Sequence, residues 1–161
     1  MLLQAAAAAV DPIAPAWQGS VQCHNPDRDQ KTCQSIGSYT RAADGTIQNT
    51  AVVLLNPQPA IVMTSMAPVE IKAGAVCGKI SSPDAGAFTV NGAPASADVT
   101  ATLRAAVATT TSSIADREIC TSYVPDADAL MAQVRVDGVR RPDFDMRVLW
   151  VDPSEGFVVG R

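Results

Sequence analysis

Four cysteines, Cys23, Cys33, Cys77 and Cys120, are spread through this chain with no C-x-x-C pair among them. An even cysteine count without metal-type spacing reads as a disulfide framework, and disulfides persist in oxidising compartments. Of the three ways to pair four cysteines, the sequence-local one joins Cys23 to Cys33 and Cys77 to Cys120. The first bond closes a polar loop; the second ties a middle strand to the segment after the main helix. Loop-closure entropy assigns roughly 3 kcal/mol to the short loop and about 4 kcal/mol to the long one.

The beginning of the chain points the same way. Residues 1–10, MLLQAAAAAV, form a short apolar stretch ending in small residues, and Asp11-Pro12-Ile13-Ala14-Pro15 follows. Residues 1–10 read as a possible signal-peptide remnant, although the basic n-region of such a segment is missing: the first Lys or Arg is Arg28. The alternative is an Ala-rich helical turn of the fold. Residues 11–161 read as a single disulfide-stapled globular domain, long enough for a core of its own. The chain has a net charge of −4, with Lys31, Lys72 and Lys79 as its three lysines. That balance argues against a nucleic-acid partner, which needs a surplus of cations facing phosphate. No transmembrane segment is expected, because no run of about 18 apolar residues occurs. Together these features describe an exported bacterial protein, periplasmic or secreted.

The expected fold class is α+β: a mostly antiparallel sheet of about eight short strands with one main helix. Strand candidates are Trp17–Cys23, Cys33–Thr40, Ile47–Leu55, Ala60–Met66, Val69–Lys72, Val76–Ile80 and Ala87–Val90. Each is at most about nine residues long, ordinary for a strand. Asp44-Gly45 and Asp137-Gly138 are hairpin signals, because both central residues of a type I′ turn need positive φ. Asn56-Pro57-Gln58-Pro59 breaks a strand. Val99, Leu103, Val107 and Ile114 share one face of a helix over about 95–115, with Ser96 as N-cap and Asp98 in the first turn. The poor helix formers Thr109 to Ser113 end it. Asp126 after Pro125 caps a second short helix over about 126–131. Phe144 to Val151 alternates as a strand, and Phe157–Val159 is the last one.

Chemical motifs are sparse. Cys23, His24 and Cys33 do not have zinc spacing, and adjacent strand residues point to opposite faces. Asn25, Asp27 and Asp29 begin a calcium-loop rhythm that fails where glycine and glutamate are required, at Gln30 and Ile36. His24, the one histidine, reads as a surface or loop residue, and no G-x-S-x-G elbow exists to supply a nucleophilic serine. Accordingly no catalytic residue, metal ligand or cofactor is assigned. Arg135, Arg140, Arg141 and Arg147 cluster around the last hairpin among Asp137, Asp143 and Asp145. They read as cross-strand ion pairs, and in the functional version as a partner-binding strip.

The reading that follows is a non-catalytic binding, inhibitor or accessory protein whose partner is a protein or small ligand of the cell envelope. The rival is a small envelope hydrolase using a pair of carboxylates, which requires two acids flanking a cleft. A third reading is assembly through an exposed edge strand such as Phe157–Val159. The disulfide premise has a direct check. Intact mass should rise by about four daltons on reduction, and no rise would remove the argument for an oxidising compartment.

Overall fold

The computed structural model describes residues 10–160. The proposed signal-peptide remnant therefore lies, apart from Val10, outside the described residues. In chain order the strands are β1 (Val21–His24), β2 (Thr32–Cys33), β3 (Ser35–Arg41), β4 (Ile47–Pro57), β5 (Ala60–Lys72), β6 (Ala75–Gly78), β7 (Ala87–Val90) and β8 (Ala93–Pro94). After the helix α1 (Ala97–Thr110) come β9 (Ile119–Asp126), β10 (Ala129–Val136), β11 (Val139–Arg140), β12 (Met146–Val151) and β13 (Val158–Val159).

Eight of these strands close on themselves. β3 pairs with β1, β1 with β12, β12 with β10, β10 with β9, β9 with β6 and β6 with β5, all antiparallel. β4 then pairs with both β5 and β3, so the sheet becomes a barrel. The expectation of a mostly antiparallel α+β fold with one main helix holds in outline, but barrel closure was not legible in the strand list. At eight strands a barrel interior is just wide enough to be filled by side chains or to hold one small ligand.

Several local expectations are corrected. β4 and β5 are 11 and 13 residues long, beyond the nine-residue ceiling. β5 runs straight through Pro68, joining what reads as two strands. Proline is tolerated there because the second edge of β5 pairs with β7 over Ile61–Thr64 and with β6 over Glu70–Lys72, leaving 65–69 without a partner strand on that side. At this seam Gly78 approaches so closely that an added Cβ would lie 2.8 Å from the Pro68 carbonyl oxygen. Asn56 and Pro57 belong to β4, and Gln58-Pro59 forms the hairpin turn to Ala60.

The expected helix over 126–131 is not formed. Ala127-Asp128 is a tight turn, with Ala127 at φ 52°, and 129–136 is a strand paired along its whole length with β9. The helix-prone Ala-Leu-Met-Ala run is overridden because Ala132, Val134 and Val136 bury alternate side chains in the barrel. The segment from Trp17 also begins differently from a strand. Ala14–Gln18 is a 3₁₀ turn opened by Pro15 and ended by Gly19 at φ 92°, and β1 starts only at Val21. The segment Phe157–Val159 contributes β13, which pairs in parallel with β2. Its register is Val158 to Thr32 and Val159 to Cys33.

Other signals are met. Asp137 and Gly138 adopt φ 47° and 80° between Val136 and Val139, the β10–β11 hairpin. The Ser96 hydroxyl accepts from the Val99 amide at 3.3 Å, and α1 ends within the threonine run at Thr110.

Ile13, fully buried, forms one cluster with Ile47 and Val76, against which Tyr39, Val69, Ile71, Tyr123 and Trp150 pack. These residues come from β3, β4, β5, β6, β9 and β12, so the N-terminal 3₁₀ segment plugs one end of the barrel. Burying the Ile13 side chain contributes roughly 1.5–3 kcal/mol. Asp11 pins the plug, accepting from the Ile13 amide at 3.0 Å and from the Trp17 indole at 2.7 Å. The Arg41 guanidinium sits 4.1 Å over the Trp17 ring.

Cys23 is bonded to Cys33 and Cys77 to Cys120, the sequence-local wiring, with sequence separations of 10 and 43. Replacing each pair by alanine should lower the unfolding free energy by at least the loop-closure share. That share is about 3 kcal/mol for the first and about 4 kcal/mol for the second. Urea unfolding followed by far-ultraviolet circular dichroism measures both. Losses under about 1 kcal/mol would show that barrel closure alone carries the stability.

Candidate functional site

Alternation along the barrel strands decides what faces the interior. On β1, Gln22 and His24 point in, while Cys23 lies in an outer cluster with Cys33 and Val151, packed against Val21, Ile36, Leu149 and Phe157. On the next strands round, Gly37 and Tyr39 of β3 and Asn49 and Ala51 of β4 line the interior. Met63, Ser65 and Ala67 of β5, Thr121 and Tyr123 of β9, and Ala132 and Val134 of β10 complete it. Many of these side chains are small, so the barrel is not filled. Two chambers of about 290 Å³ and 190 Å³ remain, and both have Tyr39, Asn49, Ala51, Thr121 and Tyr123 in their walls. The larger is roofed by Lys79 to Pro83 and by Val107 and Thr111 from the end of α1.

The polar groups of the lumen converge on one amide. Gln22 is 1% exposed. Its Oε1 accepts from the Tyr39 hydroxyl at 3.0 Å and from the Tyr123 hydroxyl at 3.4 Å. Burial pushes both phenols upward from their ordinary range, so both stay protonated donors at neutral pH. The oxygen end of the amide faces both hydroxyls, and Nε2 is left buried without a partner. An unpaired buried donor of this kind costs about 1–3 kcal/mol.

His24 stands beside it. The Ser35 hydroxyl lies 3.0 Å from Nδ1, and desolvation holds the imidazole below its ordinary value of 6.5, against a smaller opposing contribution from the Ser35 backbone. Far from being a surface or loop residue, His24 is a β1 residue facing the lumen. Gly37 makes room for it: a Cβ there would lie 3.2 Å from His24 Cε1.

The arginines are placed elsewhere. Arg140 grips Asp145 through both guanidinium nitrogens, at 2.8 and 2.6 Å, and Arg141 grips Asp143 at 2.9 and 2.7 Å. Arg147 pairs with Asp126 at 3.2 Å and Asp128 at 3.3 Å. Arg135 lies opposite Cys120 on β9 and Arg140 on β11, and is exposed. These pairs hold the Asp143 and Asp145 carboxyls below the usual carboxylate range. The Asn25–Gln30 loop closes on itself, Asp27 accepting from the amides of Asp29 and Gln30. Cys77, Glu118 and Cys120 bring potential metal-ligand atoms within 4.8 Å, but the two sulfurs are bonded to each other and offer no thiolate.

Sequence reasoning missed Gln22, Tyr39, Asn49, Thr121 and Tyr123. The available signal was polar residues at every second position, as in Gln22-Cys23-His24 and Thr121-Ser122-Tyr123. It is obscured because the outer face of β1 is also buried, under β2 and β13. No family model, no curated protein and no solved structure matches the chain.

Because His24 is the chain's one histidine, its titration can be isolated. Well above pH 6.5 it is neutral in both states; as pH falls through that value, the unfolded chain takes up a proton that the desolvated ring resists. Stability should therefore decline from about pH 7.5 to about pH 5.5, and the His24→Gln variant should lose most of that decline. Urea midpoints at the two pH values test this; an unchanged slope in the variant would mean that His24 is not desolvated.

Proposed function

We propose that this chain is a periplasmic or secreted bacterial protein that binds a small molecule in the barrel lumen, in a non-catalytic carrier, inhibitor or accessory role. Two disulfides, and no helix among the described residues long and apolar enough to cross a membrane, are compatible with export. The observation that carries the binding reading is the underfilled lumen with an unpartnered amide donor in its wall. Ligand sites are concave, mostly apolar and fitted with a few convergent polar groups, and this lumen has that composition. The carboxylate-pair hydrolase is less well supported, because neither lumen chamber has an Asp or Glu in its lining, and the two acids of the surface cleft beside β5, Asp44 and Glu70, are engaged by Thr46 and Lys72.

Ala51 contributes to both chambers and is the position from which to test the reading. Titration with the neutral fluorophore N-phenylnaphthylamine should give saturable enhancement with the native protein. Ala51→Leu, which grows into the shared wall, should weaken binding by about tenfold or more while the protein stays folded. Equal binding by the folded variant, or none by the native protein, would remove the lumen as the site.

A further inference from the structure

From the polar groups of the lumen we infer the chemical class of its ligand: a neutral molecule with an apolar body and one carbonyl-type hydrogen-bond acceptor, which receives Gln22 Nε2. This rests on the lumen-binding reading and adds the identity of the head group.

The free hydrogen bond of the lumen has a direction. Tyr39 and Tyr123 both give their protons to Gln22 Oε1. With Oε1 turned toward both phenols, the end of the amide left unpaired is a donor, Nε2. A ligand that completes this set has to present an acceptor. A hydroxyl does so less well than a carbonyl, since its own proton then needs an acceptor in turn.

Charge narrows the class further. The smaller chamber is walled by Gln22, His24, Gly37, Phe144, Met146 and their neighbours, without Asp, Glu, Lys or Arg. His24 lies beside Gln22 in a desolvated setting that favours the neutral ring. A carboxylate or phosphate head placed at Nε2 would be a buried anion without a counter-cation, which is strongly unfavourable. The one cation in either lining, Lys79, belongs to the roof of the larger chamber and is exposed. A neutral acceptor placed inward meets no such penalty.

For the remainder of the ligand, the larger chamber, which shares Tyr39, Asn49, Ala51, Thr121 and Tyr123 with the smaller, offers Met63, Ala67, Val69, Val76, Ile80 and Val107. That lining suits an aliphatic or aromatic body, and chambers of about 290 Å³ and 190 Å³ accommodate a small molecule.

The test is calorimetric titration of the full chain, oxidised, at neutral pH. The probes are methyl esters from butanoate to nonanoate, sodium nonanoate and undecane. The esters should bind, tightening with chain length, and the best ester should exceed both nonanoate and undecane by about tenfold or more. Gln22→Met removes the whole amide, and with it the donor; it should reduce ester affinity by about tenfold or more and erase the preference of the native protein for ester over undecane. If Gln22→Met fails to fold, Gln22→Leu serves in its place with the same expected outcome. Nonanoate or undecane binding as tightly as the esters, or ester affinity unchanged in the folded Gln22 variant, would overturn the head-group assignment while leaving lumen binding in place. No binding of any of the three probe types to the folded native protein would overturn both.

Discussion

The double pairing of β4, with β3 on one edge and β5 on the other, is the contact on which the rest of this structure depends. Without it the eight strands would be an open curved sheet with two long unpaired edges, a liability for aggregation. With it, every inward side chain is committed to a common interior whose diameter is set by strand number. The chain fills that interior incompletely. Gly37, Ala51, Ser65, Ala67, Thr121 and Ala132 face a space that larger residues would occupy in a packed core. The alanine-rich, aromatic-poor composition, which says little by itself, thereby becomes the physical origin of a cavity.

An underfilled, polar-lined lumen sacrifices part of the stability that close packing normally provides. The structure compensates at its periphery. Ile13 and the Asp11–Trp17–Arg41 set seal one end, and Cys23–Cys33 fastens β2 to the outer face of β1. Cys77–Cys120 bridges neighbouring barrel strands across a long loop. All four sulfurs lie outside the lumen wall, so the staples hold the barrel without narrowing it. The ion pairs of Arg140 and Arg141 are of the same kind, closing the β10–β12 connection at the rim.

Much of the local structure was legible because it is decided by neighbours in sequence. Ser96 caps α1, the threonine run ends it, and Asp137-Gly138 turns the hairpin, each through backbone preferences acting over a few residues. The errors lie where pairing overrides propensity. The Ala-Asp-Ala-Leu-Met-Ala stretch of 127–132 has the composition of a helix, yet β9 and β12 flank it on both edges and keep it extended. Pro68 looks like a strand end, and only the missing partner on the second edge of β5 at that point makes it tolerable.

The sequence by itself favoured the sequence-local disulfide wiring among three and determined the mostly antiparallel α+β composition and the position of the helix. Cysteine spacing, turn residues and caps act locally or through loop entropy. Only the tertiary structure decided that the sheet closes, and so which face of each strand looks inward. For β1 the alternation was ambiguous, because Cys23 is buried too, in a cluster with Cys33 and Val151 against which Phe157 packs, and an apolar face need not be the inner one. Closure turned Gln22 and His24 toward the axis and brought Tyr39 and Tyr123 to them from strands up to about 100 residues apart in sequence. No local pattern encodes that meeting, since it exists only when all eight strands are paired.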